Sequence, residues 1–162
     1  MKTYVITLSA VFPKTHSRAG QPTDFAEKFR KTKLHTIRAN YTLWFKRFEQ
    51  INNGEACLSV RQWTGLPYRS KQIEIARLTK DDGISLQRLD FATDRDGNVR
   101  SLFKISDAIQ IQHLGEIHHS TYHFIANLAN NDGLSLADWR EWFKGYDLTK
   151  PLAVIQFTKF KY

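Results

Sequence analysis

The chain carries a single cysteine, Cys57, among 162 residues. An internal disulfide and a multi-cysteine zinc site are therefore both excluded, and Cys57 reads as a small buried hydrophobe of an intracellular protein. Long apolar runs are also missing. The longest early one, Tyr4 to Phe12, is broken by Thr7 and Ser9. The small-x-small triplet beyond it, Ser17-Arg18-Ala19, falls in a loop with Pro13, Lys14 and His16, unlike a cleaved leader. Nothing approaches the roughly 20 apolar residues of a membrane span. The expectation is a soluble, cytoplasmic protein with no membrane partner. The chain also lacks Gly-x-Gly-x-x-Gly, a Walker loop, Gly-x-Ser-x-Gly and His-Glu-x-x-His. A dinucleotide oxidoreductase, a P-loop ATPase, an α/β-hydrolase and a zincin are disfavoured.

What is present is aromatic and basic. Hydrophobic residues make up 41% of the chain, with 11 Phe, 6 Tyr and 4 Trp, enough for the core of one domain. The formal net charge is +8. It is concentrated in residues 1–80, which hold 15 basic and 5 acidic side chains. Between Lys28 and Phe48 there are seven basic residues and no acid: Lys28, Arg30, Lys31, Lys33, Arg38, Lys46 and Arg47. A charge run often marks only a solvated face. Complete exclusion of acids points instead to a surface that meets an anion.

Strand-forming residues predict strands at Lys2–Leu8, Leu34–Arg38, Glu55–Trp63, Lys71–Leu78 and Leu152–Phe160, with a hairpin of Ile84–Phe91 and Val99–Ile105. Helices are expected at Asp24–Thr32 behind Thr23, at Tyr41–Ile51 behind Asn40, at His118–Asn130, and after Ser135. Trp44, Phe48 and Ile51 share a helical face and read as core. Residues 106–117 show no dominant period. Many short strands with a few helices predict an α+β fold built on a mixed β-barrel.

Glu116, His119 and His123 have the spacing of ligands on one helix face. Di-metal bundles need two Glu-x-x-His sets and this chain has one, so no metal or other cofactor is expected.

The segment Lys31-Thr32-Lys33-Leu34-His35-Thr36-Ile37-Arg38 resembles the core motif of the ASCH family, the activating-signal-cointegrator homology domains. Members typically read Gly-x-Lys-Thr-x-Thr-Ile-Arg there. The turn Asn131-Asp132-Gly133-Leu134-Ser135 ahead of Trp139–Phe143 resembles the family's acidic turn before its last helix. The Glu55–Trp63 and Leu152–Phe160 strands look like its second and terminal barrel strands. The resemblance spans the chain in outline as a single domain, with an extended middle region around residues 64–113. It implies a PUA-like mixed β-barrel with flanking helices, and a role with RNA or a modified nucleotide. Some small bacterial members are amidohydrolases that convert N4-acetylcytidine to cytidine and acetate. By motif position their catalytic lysine, threonine and acidic residue map to Lys33, Thr36 and Asp132.

The chemistry this implies is coherent. A threonine hydroxyl becomes nucleophilic only when a base takes its proton. Lysine serves as that base only when neutral, which desolvation or neighbouring cations such as Lys31 and Arg38 would favour. Arg38 could also brace Asp132. Three positions depart from the pattern: Lys31 stands in place of glycine, Leu34 in place of threonine, and Asp132 in place of glutamate. The shorter carboxylate matters, because a misplacement near ~1 Å can cost about 10²-fold in rate. By composition alone, Thr36 could serve strand propensity, Lys33 solvation and Asp132 the turn.

PUA-like domains hold nucleic acid or a base across the barrel face. The candidates for that surface are Arg61, Trp63, Tyr68, Arg69 and Lys71, in and around the loop Thr64–Ser70. Cations would take phosphates and an aromatic ring would stack a base. Trp63 is also a natural core residue. Two classes of function stand open: a module that binds RNA or a modified nucleotide in a basic cleft, and an amidohydrolase with Thr36 as nucleophile and Lys33 as base.

Overall fold

The computed structural model describes residues 1–107 and 122–162. Its strands are β1 (Lys2–Leu8), β2 (His35–Arg38), β3 (Ala56–Trp63), β4 (Gln72–Leu78), β5 (Ser85–Thr93), β6 (Val99–Asp107), β7 (Tyr122–Phe124) and β8 (Leu152–Gln156). The helices among the described residues are α1 (Phe25–Lys28), α2 (Tyr41–Asn52), α3 (Ile125–Asn131) and α4 (Leu136–Trp142), with a 3₁₀ turn at Lys80–Asp82.

The fold is α+β, and among the described residues no closed barrel is found where a mixed barrel was expected. The described strands form two sheets, one ordered β1-β3-β4 and one ordered β2-β8-β5-β6-β7. β1 runs parallel to β3, with Thr7 opposite Arg61 and Leu8 opposite Gln62. The other pairings are antiparallel. β8 lies between β2 and β5, and all five of its residues are buried, as expected of a strand covered on both faces. α2 packs against β3, β5 and β8 and so links the two sheets. Its Trp44, Phe48 and Ile51 join Ile6, Leu58, Val60, Leu86 and Val154 in one core. Cys57 is buried on β3, as its sequence setting implied.

Several boundaries differ from the sequence reading. The helix expected at Asp24–Thr32 stops at Lys28, because Arg30 takes a left-handed conformation (φ 59°). The N–H groups of Lys31, Thr32 and Lys33 then all turn back to the Lys28 carbonyl. This places Lys31 in the solvent and Lys33 inside. The positive φ falls on Arg30, so Lys31 does not need the glycine that its place in the motif suggested. Of the helix expected at His118–Asn130, residues 118–121 lie outside the described residues; Tyr122–Phe124 is strand and Ile125–Asn131 is helix. Pairing of β7 with β6 wins over local helical spacing there. β8 ends at Gln156, after which the chain bends back toward β2.

Two termini follow sequence closely. Asn40 caps α2, its side chain accepting from the Leu43 N–H at 3.2 Å. Ser135 caps α4 in the same way through the Asp138 N–H at 3.1 Å. No described helix is long and apolar enough to cross a membrane.

Candidate functional site

The site begins in the turn after α1. Lys33 sits between that turn and β2, its backbone forming an isolated bridge to Asp132. Leu34 N–H extends the contact by donating to the Asn131 carbonyl at 2.8 Å. Gly133 makes this close approach possible. It holds φ +78°, and a Cβ there would meet the Lys33 Cβ at 3.1 Å. Lys28 ties the same turn to α1, donating from Nζ to the carbonyls of Thr23 (3.0 Å) and Gly133 (3.1 Å).

Lys33 and Asp132 are both buried, at 1% and 3% exposure. Lys33 Nζ donates to Asp132 Oδ1 at 2.5 Å and to the Asp132 carbonyl at 2.7 Å. The ammonium also lies 4.0 Å from the centre of the Phe25 ring. Burial pushes the Lys33 pKa down, against the pull of Asp132, and the nearby Arg38 and Lys28 charges push it the same way. Burial pushes the Asp132 carboxyl up, opposed by Lys33 and Arg38. Both directions reduce the cost of moving the shared proton within the pair. The Trp139 indole N–H approaches the same carboxylate without completing a hydrogen bond.

β2 brings Thr36 and Arg38 onto one face by its period of two. Arg38 Nη1 donates to Thr36 Oγ1 and to the Ile37 carbonyl, both at 2.8 Å. Its Nη2 donates to the Thr7 carbonyl on β1, also at 2.8 Å. Arg38 thus braces the threonine and bridges the two sheets. The direct pairing with Asp132 weighed from sequence is replaced by these bonds, and the two charges interact only through space.

Lys33, Thr36, Arg38 and Asp132 line one cavity of about 190 Å³. Thr7, Leu8 and Ser9 wall it from β1, Phe25 from α1, and Leu134, Trp142, Phe143 and Tyr146 from the region of α4. It is smaller than the roughly 300 Å³ at which drug-sized ligand pockets begin. It has room for a group the size of a base or an acyl group. Lys33 bonds Asp132 in this arrangement, and Thr36 bonds Arg38.

Lys31 is exposed and outside the cavity lining; Arg38 and Lys28 supply the neighbouring positive charge. The surface candidates lie on and beyond the end of β3. β1 and β3 pair as far as Leu8 and Gln62; Trp63, the last residue of β3, is outside the cavity lining. The loop beyond is closed by Thr64 N–H and Oγ1 donating to the Lys71 carbonyl at 2.9 and 3.0 Å. Tyr68 is 90% exposed at its tip, its ring centre 5.4 Å from that of Trp63. Trp63 is half-buried, so it is neither a core residue nor a bare platform. Arg69 and Lys71 are exposed. Arg61 is engaged: its Nε donates to Ser59 Oγ at 2.8 Å, and its Nη2 lies 3.9 Å from the Glu74 carboxylate, which Ser59 and Arg77 also hold.

The spaced trio Glu116, His119 and His123 reaches outside the described residues. His123 lies in β7, so the helical spacing does not extend to it. No cluster of three or more candidate metal ligands occurs among the described residues.

Sequence reading passed over His35, Asn131 and Tyr162, which form a partly buried chain behind Asp132, and Trp142 and Tyr146, which wall the cavity. Only His35 carried a local signal, a histidine inside an apolar strand. No protein-family model matches the chain, and no significant match emerged among curated proteins or solved structures.

Proposed function

We propose that the chain is an ASCH-type, PUA-like domain that binds RNA or a modified nucleotide, taking a base into the cavity beside Lys33. The observation that carries this reading is the buried Lys33–Asp132 pair opening on a small cavity next to Thr36 and Arg38. Burying two charges is expensive unless both are paired. Here they sit at a cavity wall, where a base or amide would find donors and an acceptor together. The exposed loop that follows β3, with Tyr68, Arg69 and Lys71, would suit phosphates and a stacked neighbouring base.

A second reading has its own support. Burial lowers the Lys33 pKa, the condition a lysine base needs, and Arg38 donates to the Thr36 oxygen that would become negative during attack. In that amidohydrolase Thr36 Oγ1 attacks the acetyl carbonyl of N4-acetylcytidine while Lys33 takes its proton. The proton passes to the leaving nitrogen, cytidine departs, and water releases acetate from Thr36.

The first experiment incubates N4-acetylcytidine with wild type and Thr36→Ala, following cytidine by chromatography. Release by wild type alone makes the site catalytic and the loop a guide for substrate. Binding of single-stranded RNA or of N4-acetylcytidine without turnover supports the binding module. Failure of both ligands to bind removes both readings.

A further inference from the structure

Behind the Lys33–Asp132 pair lies a second, partly buried layer. His35 is fully buried on β2. Its Nε2 is 2.9 Å from the Tyr162 hydroxyl, at the C-terminal end of the chain. Asn131 Nδ2 donates to that same hydroxyl at 3.1 Å. With Asn131 donating to the Tyr162 oxygen and the Tyr162 hydroxyl donating to His35 Nε2, a neutral imidazole carries its proton on Nδ1. The opposite tautomer would set the bare lone pair of Nδ1 near the Asp132 carboxylate, an unfavourable approach. Burial and the Lys33 charge keep the ring neutral.

His35 Nδ1 has no hydrogen-bond partner. It lies 3.9 Å from Asp132 Oδ1, too far for a bond, and that is the oxygen that Lys33 Nζ holds at 2.5 Å. One carboxylate oxygen thus has one donor engaged and a second in reserve. The other groups around it are Lys28, Arg38 and the Trp139 indole, besides Lys33 itself.

We propose that His35 is a positioning residue of this site: fixed by Tyr162 as the Nδ1–H tautomer, it takes over Asp132 when Lys33 turns toward a bound ligand. Lys33 cannot leave without stranding a buried carboxylate, which is strongly unfavourable. A replacement donor at its back removes that obstacle, and a small closing movement suffices. The role rests on the cavity being a ligand site; the arrangement of donors does not.

The test is nitrogen and proton NMR of the imidazole in the whole chain. In wild type the expected state is neutral, with the proton on Nδ1 and Nε2 accepting. A dominant Nε2–H form, or a charged ring at neutral pH, overturns the proposal. The second arm uses Lys33→Met, which removes the ammonium and keeps the bulk. The His35 Nδ1–H signal is then expected to move downfield as it closes on Asp132, and to move back in Lys33→Met/Asp132→Asn. An unchanged signal in folded Lys33→Met overturns the proposal; if that variant does not fold, the wild-type tautomer and the ligand arm decide.

The ligand arm measures N4-acetylcytidine affinity for His35→Asn, whose amide N–H stands near the Nδ1 position, and for His35→Gln, whose amide stands near Nε2. Affinity within about threefold of wild type for Asn and about tenfold weaker for Gln is expected, both variants being folded. Equal losses overturn the positioning role. If wild type binds no N4-acetylcytidine while the tautomer and the Lys33→Met shift appear as stated, the ligand reading fails and the donor exchange stands.

Discussion

Lys33 shows how a residue that by composition reads as one more surface cation becomes a buried, paired charge at a cavity wall. It is 1% exposed and bound to Asp132. Lys33→Ala leaves a buried carboxylate unpaired and is expected to destabilise the fold by about 3–5 kcal/mol in urea unfolding. Lys33→Met/Asp132→Leu removes both charges and is expected to recover most of that loss. If the double variant is as unstable as Lys33→Ala, the pair is not the source of the effect. His35 sets a pH dependence with a definite sign. Its folded pKa lies well below 6.5. As pH falls through that unfolded value, the unfolded chain takes up a proton that the folded one refuses. Stability is therefore fully present above pH 6.5 and falls below it, by up to about 1.4 kcal/mol per pH unit until the folded pKa is reached. Asp132, with its raised pKa, acts in the opposite sense at lower pH. Comparing wild type with His35→Asn at pH 5.5 and 7.5 isolates the histidine: the variant should lose less stability on acidification.

At the scale of elements, helix starts and turns carry the most local information. Asn40 is legible as a cap from its place before an amphipathic run, and its left-handed backbone (φ 59°) adds a reason for asparagine. Asn40→Ala loses both the cap bond and the tolerance for that conformation, so about 1–2 kcal/mol is expected, with a lower melting temperature. Asn40→Gly keeps the conformation and should lose less; an equal loss would refute this account. Gly133→Ala is the sharper case, since a methyl group would press on Lys33 Cβ. A loss of at least about 1 kcal/mol is expected, together with weakened ligand binding, because the bridge that presents Asp132 must shift. The end of α1 was not legible. Phe25, Ala26 and Phe29 keep helical spacing, yet the chain leaves the helix after Lys28 to bring Lys33 inward. The strand at Tyr122–Phe124 was hidden for a similar reason, as its partner β6 is distant in sequence.

At the scale of the molecule, the net charge of +8 and the exposed Arg69 and Lys71 predict salt-dependent binding of single-stranded RNA. Each phosphate contact contributes about 0.7 to the slope of log affinity against log salt. Arg69→Ala/Lys71→Ala should therefore lower that slope by about 1.4. Tyr68→Ala should weaken binding by about 1–3 kcal/mol per lost stacked base while leaving the slope unchanged. A slope unaltered by removing the two cations would place the anion surface elsewhere. Arg61 is the less effective target, since Ser59 and Glu74 already hold it.

By itself the sequence determined the α+β class, most strand and helix positions, the aromatic core face of α2 and the acid-free basic stretch. Those properties follow from periodicity, capping chemistry and charge, all of which act over a few residues, whereas the grouping of Lys33, Thr36 and Asp132 as candidates was implied only by the resemblance of their segments to the ASCH motif. Only the tertiary structure decided that the described strands form two sheets, that Lys31 stays outside and Arg38 clamps Thr36, and that Tyr162 reaches back to bond His35. The bond from Lys33 to Asp132 spans 99 residues, and that between His35 and Tyr162 spans 127. Contacts of that separation are selected by how whole elements pack and by the need to pair every buried charge, and no local pattern records them.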